Sequence, residues 1–400
     1  DDPAVRLEEA KGAARAIALY GGVGRFEDLK RWGARLAEAA AAFPDDPAVR
    51  LEEAKGAVNA IATYSGGRFD DLEHWGERLS AVAAAFPDDS AIWLRYAMGA
   101  TNAIARYGDR GRFDDLERWG ERLAAAHAAF PDDPAVRLEE ARGSANAILG
   151  YGEAGRFDEL ECWGGRLAAA TAAFPDDPAV RLEEAKGAVN AARLYGAAGR
   201  SDDVERWGGR LATAAAAIPN DPAIRMVEAR GAANAIAHYG AAGRFNDLER
   251  WGGRLASAAA ALPDDPAVRL EEAMGAVNAI ASYRVGRFDD LERWGGRLAS
   301  AAAAFPHDPE IRLAEAQGAV NAILHYGRAG HFEDRKRWLN VLAAIAERFP
   351  ADLQVQRLAS EHGVAFAARA LAAMPNEQPG SWHAATFVFA DSFHDIAGNE

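Results

Sequence analysis

The sequence predicts an all-α fold, a solenoid of eight stacked helix-turn-helix units, on three observations. A Phe-Pro pair or a close equivalent returns at Pro44, Pro87, Pro131, Pro175, Pro219, Pro263, Pro306 and Pro350, at intervals of 43 or 44 residues. Apolar residues within each unit recur at spacings of three and four, and no stretch alternates with the period of two that a strand requires. Eight of the ten Trp and eight of the nine Tyr hold one fixed slot each. Regularity over such a period marks a chain whose units bury their apolar faces only against their neighbours.

The second unit shows how each element arises. Asp46-Pro47 reads as an N-cap and a first-turn proline, followed by Leu51, Ala54, Val58, Ile61 and Tyr64 on one helical face. Ser65-Gly66-Gly67 breaks that first helix. A second helix carries Phe69, Leu72, Trp75, Leu79 and Phe86 until Pro87 ends it. Asp70-Asp71 and Asp114-Asp115 open second helices, where the helix dipole favours them without any catalytic role. The two shorter units lose their residue between Tyr64 and Phe69 and between Tyr283 and Phe288, which marks a surface loop. Gly56, Gly143, Gly187 and Gly231 lie inside first helices at a cost of about 1 kcal/mol each relative to alanine, which close helix approach offsets. The Trp and Tyr slots read as packing between helices.

Residues 1–350 therefore form the repeats, 351–375 a C-terminal capping helix over Leu353 to Met374, and 376–400 a non-repeat tail. Trp382, Phe387, Phe389 and Phe393 in that tail point to docking on the stack or on a partner. The chain opens directly on an Asp-Asp-Pro unit start, which reads as a piece of a longer protein whose upstream region carries an effector activity regulated by the repeats.

Lys and Arg number 45 against 60 Asp and Glu, a formal net charge of −15, which argues against a nucleic-acid or membrane-surface partner. One cysteine, Cys162, forms neither an internal disulfide nor a thiolate cluster, so a reducing cytoplasm is the expected compartment. It stands where Arg118 and Arg206 stand in sibling units, so drift explains it better than reactivity. No uncharged stretch approaches the length of a bilayer span. Phosphate-binding loops, HExxH, GxSxG and paired cysteines are missing, and the nine histidines fall mostly in inequivalent slots. No catalytic residue, metal or cofactor is expected.

Tyr195, Gly199, Ser201 and Val204, like Tyr107, Gly111, Phe113 and Leu116, stand at relative positions of zero, four, six and nine before a closing proline. This core resembles the tetratricopeptide repeat, in a long variant whose unit exceeds the standard 34 residues by about ten. The resemblance covers all eight units and implies a right-handed superhelix with first helices lining an inner groove.

Five residues before each Tyr stand Asn59, Asn102, Asn146, Asn190, Asn234, Asn278 and Asn321, with Arg15 in the first unit. The resemblance places this slot in the groove, where a similar ladder in O-GlcNAc transferase-type arrays holds an extended peptide by its backbone. An amide both donates and accepts, so it pairs with a peptide unit whatever its side chain. The bland alternative is an Asn bonded to a neighbouring helix. One turn earlier lie Lys55, Arg142, Lys186 and Arg230, replaced by Met98, Met274 and Gln317 elsewhere. They resemble the carboxylate clamp of chaperone-binding members, which implies an acidic or C-terminal carboxylate partner. The alternative is a solvated cation answering a glutamate on its own face. In the third unit Trp93 and Tyr96, with Met98, stand outside the two packing slots and read as an interface anchor, or else as drift at exposed positions.

The leading expectation is a non-catalytic recognition module that binds an extended protein or peptide segment in the groove. By analogy with bacterial repeat arrays it is the sensor of a larger signalling or defence protein. A structural scaffold or self-associating helical rod is the alternative. Base-by-base RNA reading sits poorly with the acidic balance and with the shortage of stacking aromatics.

Overall fold

The computed structural model describes residues 2–64, 67–283 and 286–363. The first helices are α1 (Pro3–Gly22), α3 (Pro47–Thr63), α5 (Ser90–Gly108), α7 (Pro134–Glu153), α9 (Pro178–Ala197), α11 (Pro222–Ala241), α13 (Pro266–Ser282) and α15 (Pro309–Ala329). The second helices are α2 (Phe26–Ala42), α4 (Phe69–Ala85), α6 (Phe113–Ala129), α8 (Phe157–Ala173), α10 (Ser201–Ala217), α12 (Phe245–Ala261), α14 (Phe288–Ala304) and α16 (Phe332–Arg348), and α17 (Leu353–Glu361) follows. The fold is the all-α tandem array expected, without strands among the described residues. The cap helix expected to run to Met374 is described only as far as Glu361, and the tail lies outside the described residues.

Local chemistry sets each boundary. Asp46 Oδ1 accepts from the amides of Ala48 at 2.9 Å and Val49 at 3.3 Å, capping donors that the helix itself leaves free. Gly111, at φ +65°, supplies the left-handed residue that turns α5 into α6, and one glycine does so at the same turn of every unit.

Curvature follows from what separates neighbouring units. Successive first helices pack directly on one another, whereas no two second helices approach within 8 Å at Cα among the described residues. Alanines fill the first row, while a Trp ring stands between neighbours in the second. An alanine Cβ at Gly33 would fall 2.7 Å from the Trp75 ring, and one at Gly164 would fall 2.6 Å from Trp207. The glycines inside first helices make room for their neighbours: a Cβ at Gly56 would fall 2.3 Å from the Leu36 side chain of the preceding second helix and 3.8 Å from the Ala14 backbone of α1.

Five Trp wedges, Trp119, Trp163, Trp207, Trp294 and Trp338, are each held by a glutamate of the preceding unit. Glu73 accepts from the Tyr107 hydroxyl at 2.6 Å and the Trp119 indole at 2.9 Å. Glu161 accepts from Tyr195, Trp207 and Arg206 in the same way. Phe69 stacks on Tyr107 at 5.0 Å between ring centroids, beneath the Arg112 guanidinium. The fifth unit departs from this, because Ser201 replaces the Phe and its hydroxyl lies 3.0 Å from His238 Nε2.

Two measurements test the wedge. Gly164→Ala drives a methyl group into Trp207 and costs about 1–3 kcal/mol by urea unfolding, while Gly165→Ala, with nothing within 4 Å, stabilises by up to about 1 kcal/mol. Partial burial of Glu161 opposes its charged form, yet hydrogen bonds from Arg206, Tyr195 and Trp207 outweigh it and hold the carboxyl down at about 2. Its stabilisation is therefore present above the unfolded pKa of about 4.3 and lost as pH falls from there towards 2. Glu161→Gln melts below the parent at pH 6, and in thermal melts the gap closes as pH drops through that window.

Candidate functional site on the inner ridge

Each first helix has a first helix on either side and its own second helix behind it, so one strip remains open to the hollow. In the second unit that strip is Leu51, Lys55, Asn59 and Ala62, and in the fourth Leu138, Arg142, Asn146 and Leu149, spaced four, four and three on one helical face. Leu51, read from its periodicity as core, is only half-buried and forms an apolar stripe with Leu94, Leu138, Leu182, Met226 and Leu270.

All seven asparagines lie half-buried along this strip. Asn59 Nδ2 donates to the Ala14 carbonyl of the neighbouring first helix at 3.2 Å. The side-chain amides of Asn102, Asn146, Asn190, Asn234, Asn278 and Asn321 hold no hydrogen bond among the described residues. Thr101, beside Asn102, is buried and donates to the Glu139 carbonyl at 3.0 Å, whereas the buried Ser144 hydroxyl of the next first helix has no partner.

The cations one turn away are already engaged. Lys55 pairs with Glu52 at 2.7 Å, Arg142 with Glu139 at 2.8 Å and Lys186 with Glu183 at 3.1 Å, and Arg230 reaches Glu271 of the next unit at 2.9 Å. Any guest carboxylate would meet carboxylates of the chain itself. Burial raises the Glu139 pKa even against Arg142.

Trp93 and Tyr96 are not the exposed anchor expected. Tyr96 is 8% exposed and meets Trp93 edge to face at 5.3 Å, and Trp93 packs on towards Phe130 at 6.3 Å. Sibling units place a buried ion pair in these two slots, Arg50 with Glu53 at 2.9 Å and Arg137 with Glu140 at 2.7 Å. An aromatic pair has replaced a salt bridge inside the stack. In the second unit Arg78 of the second helix also bonds Glu53, at 2.8 Å. Met98 stays half-buried on the ridge with Arg95 Nη1 3.0 Å from its sulfur.

Sequence reading missed the glutamates that hold the Trp wedges, although a Glu two residues before the Trp–Gly pair recurs in six units and could have revealed them. Among the described residues no three His, Cys, Asp or Glu side chains gather to hold a metal ion. No described helix is long and apolar enough to cross a membrane.

Fold and ridge together define a tetratricopeptide-like helical repeat protein. No family model and no curated protein matches the chain. Among solved structures it is similar to the human IFIT1 dimer with m7Gppp-AAAA, at 15% identity over 89% of this chain and 79% of that one, with a TM-score of 0.32. The human IFIT1 dimer with PPP-AAAA gives 15% over 92% and 86%, and a monomeric IFIT1 mutant with Gppp-AAAA gives 15% over 88% and 77%, both at a TM-score of 0.32. So distant a likeness assigns no ligand to this chain. It does correct one expectation: those arrays hold capped or triphosphate RNA, so the exclusion of nucleic acid does not stand. The physical reason is that −15 is summed over the whole surface, whereas a strand meets one ridge, and this ridge carries Lys55, Arg142, Lys186 and Arg230.

The replaced salt bridge yields a test. Trp93→Arg alone buries a guanidinium without its carboxylate and costs about 3–5 kcal/mol. Adding Tyr96→Glu restores the sibling pair and recovers most of that loss in urea unfolding.

Proposed function

We propose that the chain is a non-catalytic recognition module that holds an extended polypeptide along the inner ridge. The observation that carries this reading is the amide row, six of whose seven members have no partner within the described residues. Asparagine mid-helix costs about half a kcal/mol relative to alanine, so a use outside the helix is needed to account for its recurrence. A row of donor–acceptor groups suits a backbone whose own N–H and C=O groups alternate.

The triple variant Asn146→Ala, Asn190→Ala, Asn234→Ala separates the possibilities. Its melting temperature stays within about 3 °C of the parent, because the amides stabilise nothing inside the stack. Its affinity for a fluorescein-labelled pool of random peptides, read by anisotropy, falls about tenfold or more, equivalent to ~1.4 kcal/mol. A collapse in stability, or capture of a labelled RNA pool in preference to the peptides, overturns the reading.

A further inference from the structure

The ridge is not chemically uniform along the array. The slot one turn before the amide carries a cation in the fourth to sixth units, Arg142, Lys186 and Arg230. In the last two units it holds Met274 and Gln317, and the ridge continues uncharged through Asn278 and Ala281 and through Asn321 and Leu324. Helices α13 and α15 pack directly on one another, so the two uncharged ridges lie side by side. Leu324 keeps 40% of its surface exposed, while Ile323 and Val320 on the same helix are buried.

The surroundings add little charge to this patch. His325, next to Leu324, has Nε2 3.2 Å from the Ala281 carbonyl, and burial lowers its pKa, so the ring is neutral at pH 7. Glu271 is drawn to Arg230, and Arg328, one turn beyond Leu324, marks the edge of the patch. The other neutral slot, Met98, differs because the Arg95 guanidinium lies against its sulfur.

An apolar side chain laid on a ridge strips water from whatever it covers, which costs little over Met, Leu and Ala and much over an ammonium or guanidinium group. Resting on the polypeptide reading above, we propose that α13 and α15 form an apolar subsite at one end of the groove. It seats aliphatic or aromatic side chains of the bound segment, whose polar part runs over the cationic units.

Two fluorescein-labelled peptides of about 16 residues test this, one of alternating Ser and Asn and one identical except for a terminal Leu-Phe-Leu. The parent binds the second more tightly, and a benzoylphenylalanine in place of its Phe crosslinks to α13 or α15. Met274→Lys with Leu324→Lys weakens the Leu-Phe-Leu peptide about tenfold and leaves the polar peptide unchanged. Leu324→Ser, at a half-open position that leaves the melt intact, shifts affinity in the same direction. Equal affinities in parent and double variant, or crosslinks on α3 to α9, overturn the subsite while the amide row stands. Failure of the parent to bind either peptide overturns both.

Discussion

The array depends on one wedge, a Trp ring seated on a glycine of the preceding second helix and held there by that unit's glutamate. Trp119 on Gly76, bonded to Glu73, is representative. Because the outer row is spaced by indoles and the inner row by alanines, stacking the same unit again and again bends the chain with its first helices inward. Burial of a large aromatic supplies the energy, while the carboxylate fixes the angle, since the indole N–H and the phenol must meet the same oxygen. The ridge that carries the asparagines is thus a product of packing on the opposite side of the molecule.

Burial and the neighbouring carboxylate raise the phenols of the joint, Tyr195 among them, while hydrogen bonds hold Glu161 down. Tyr107 is pushed well above the ordinary phenol range, first by burial and then by Glu73, so it remains a donor at neutral pH. A donor of fixed state suits a structural joint, where a group titrating near neutrality would make the spacing between units depend on pH.

Much of this was legible in the sequence because repetition supplies its own controls. Pro44 and its equivalents fixed the period, Asp46-Pro47 the helix start, and the fixed Trp and Tyr slots the packing. Other features were hidden for physical reasons. Glu73 reads as an ordinary surface residue of a helix, since nothing local shows that two rings from the next unit, 34 and 46 residues away, converge on it. Leu51 has the periodicity of a core residue and lies at the edge between core and hollow. Trp93 and Tyr96 looked exposed because their sibling slots hold Arg and Glu, types that are seldom buried, and here those charges are paired inside the stack.

The first joint lacks the glutamate that accepts a Tyr hydroxyl at each of the next six. Lys30 stands in the glutamate slot and turns to Asp71 at 3.0 Å, and the buried Tyr64 hydroxyl has no partner. In a linear stack, where each unit is secured only by those beside it, a joint without its fastener lowers the cooperativity locally. On warming, the seam between the first two units accordingly opens more readily than the six seams clasped through a carboxylate.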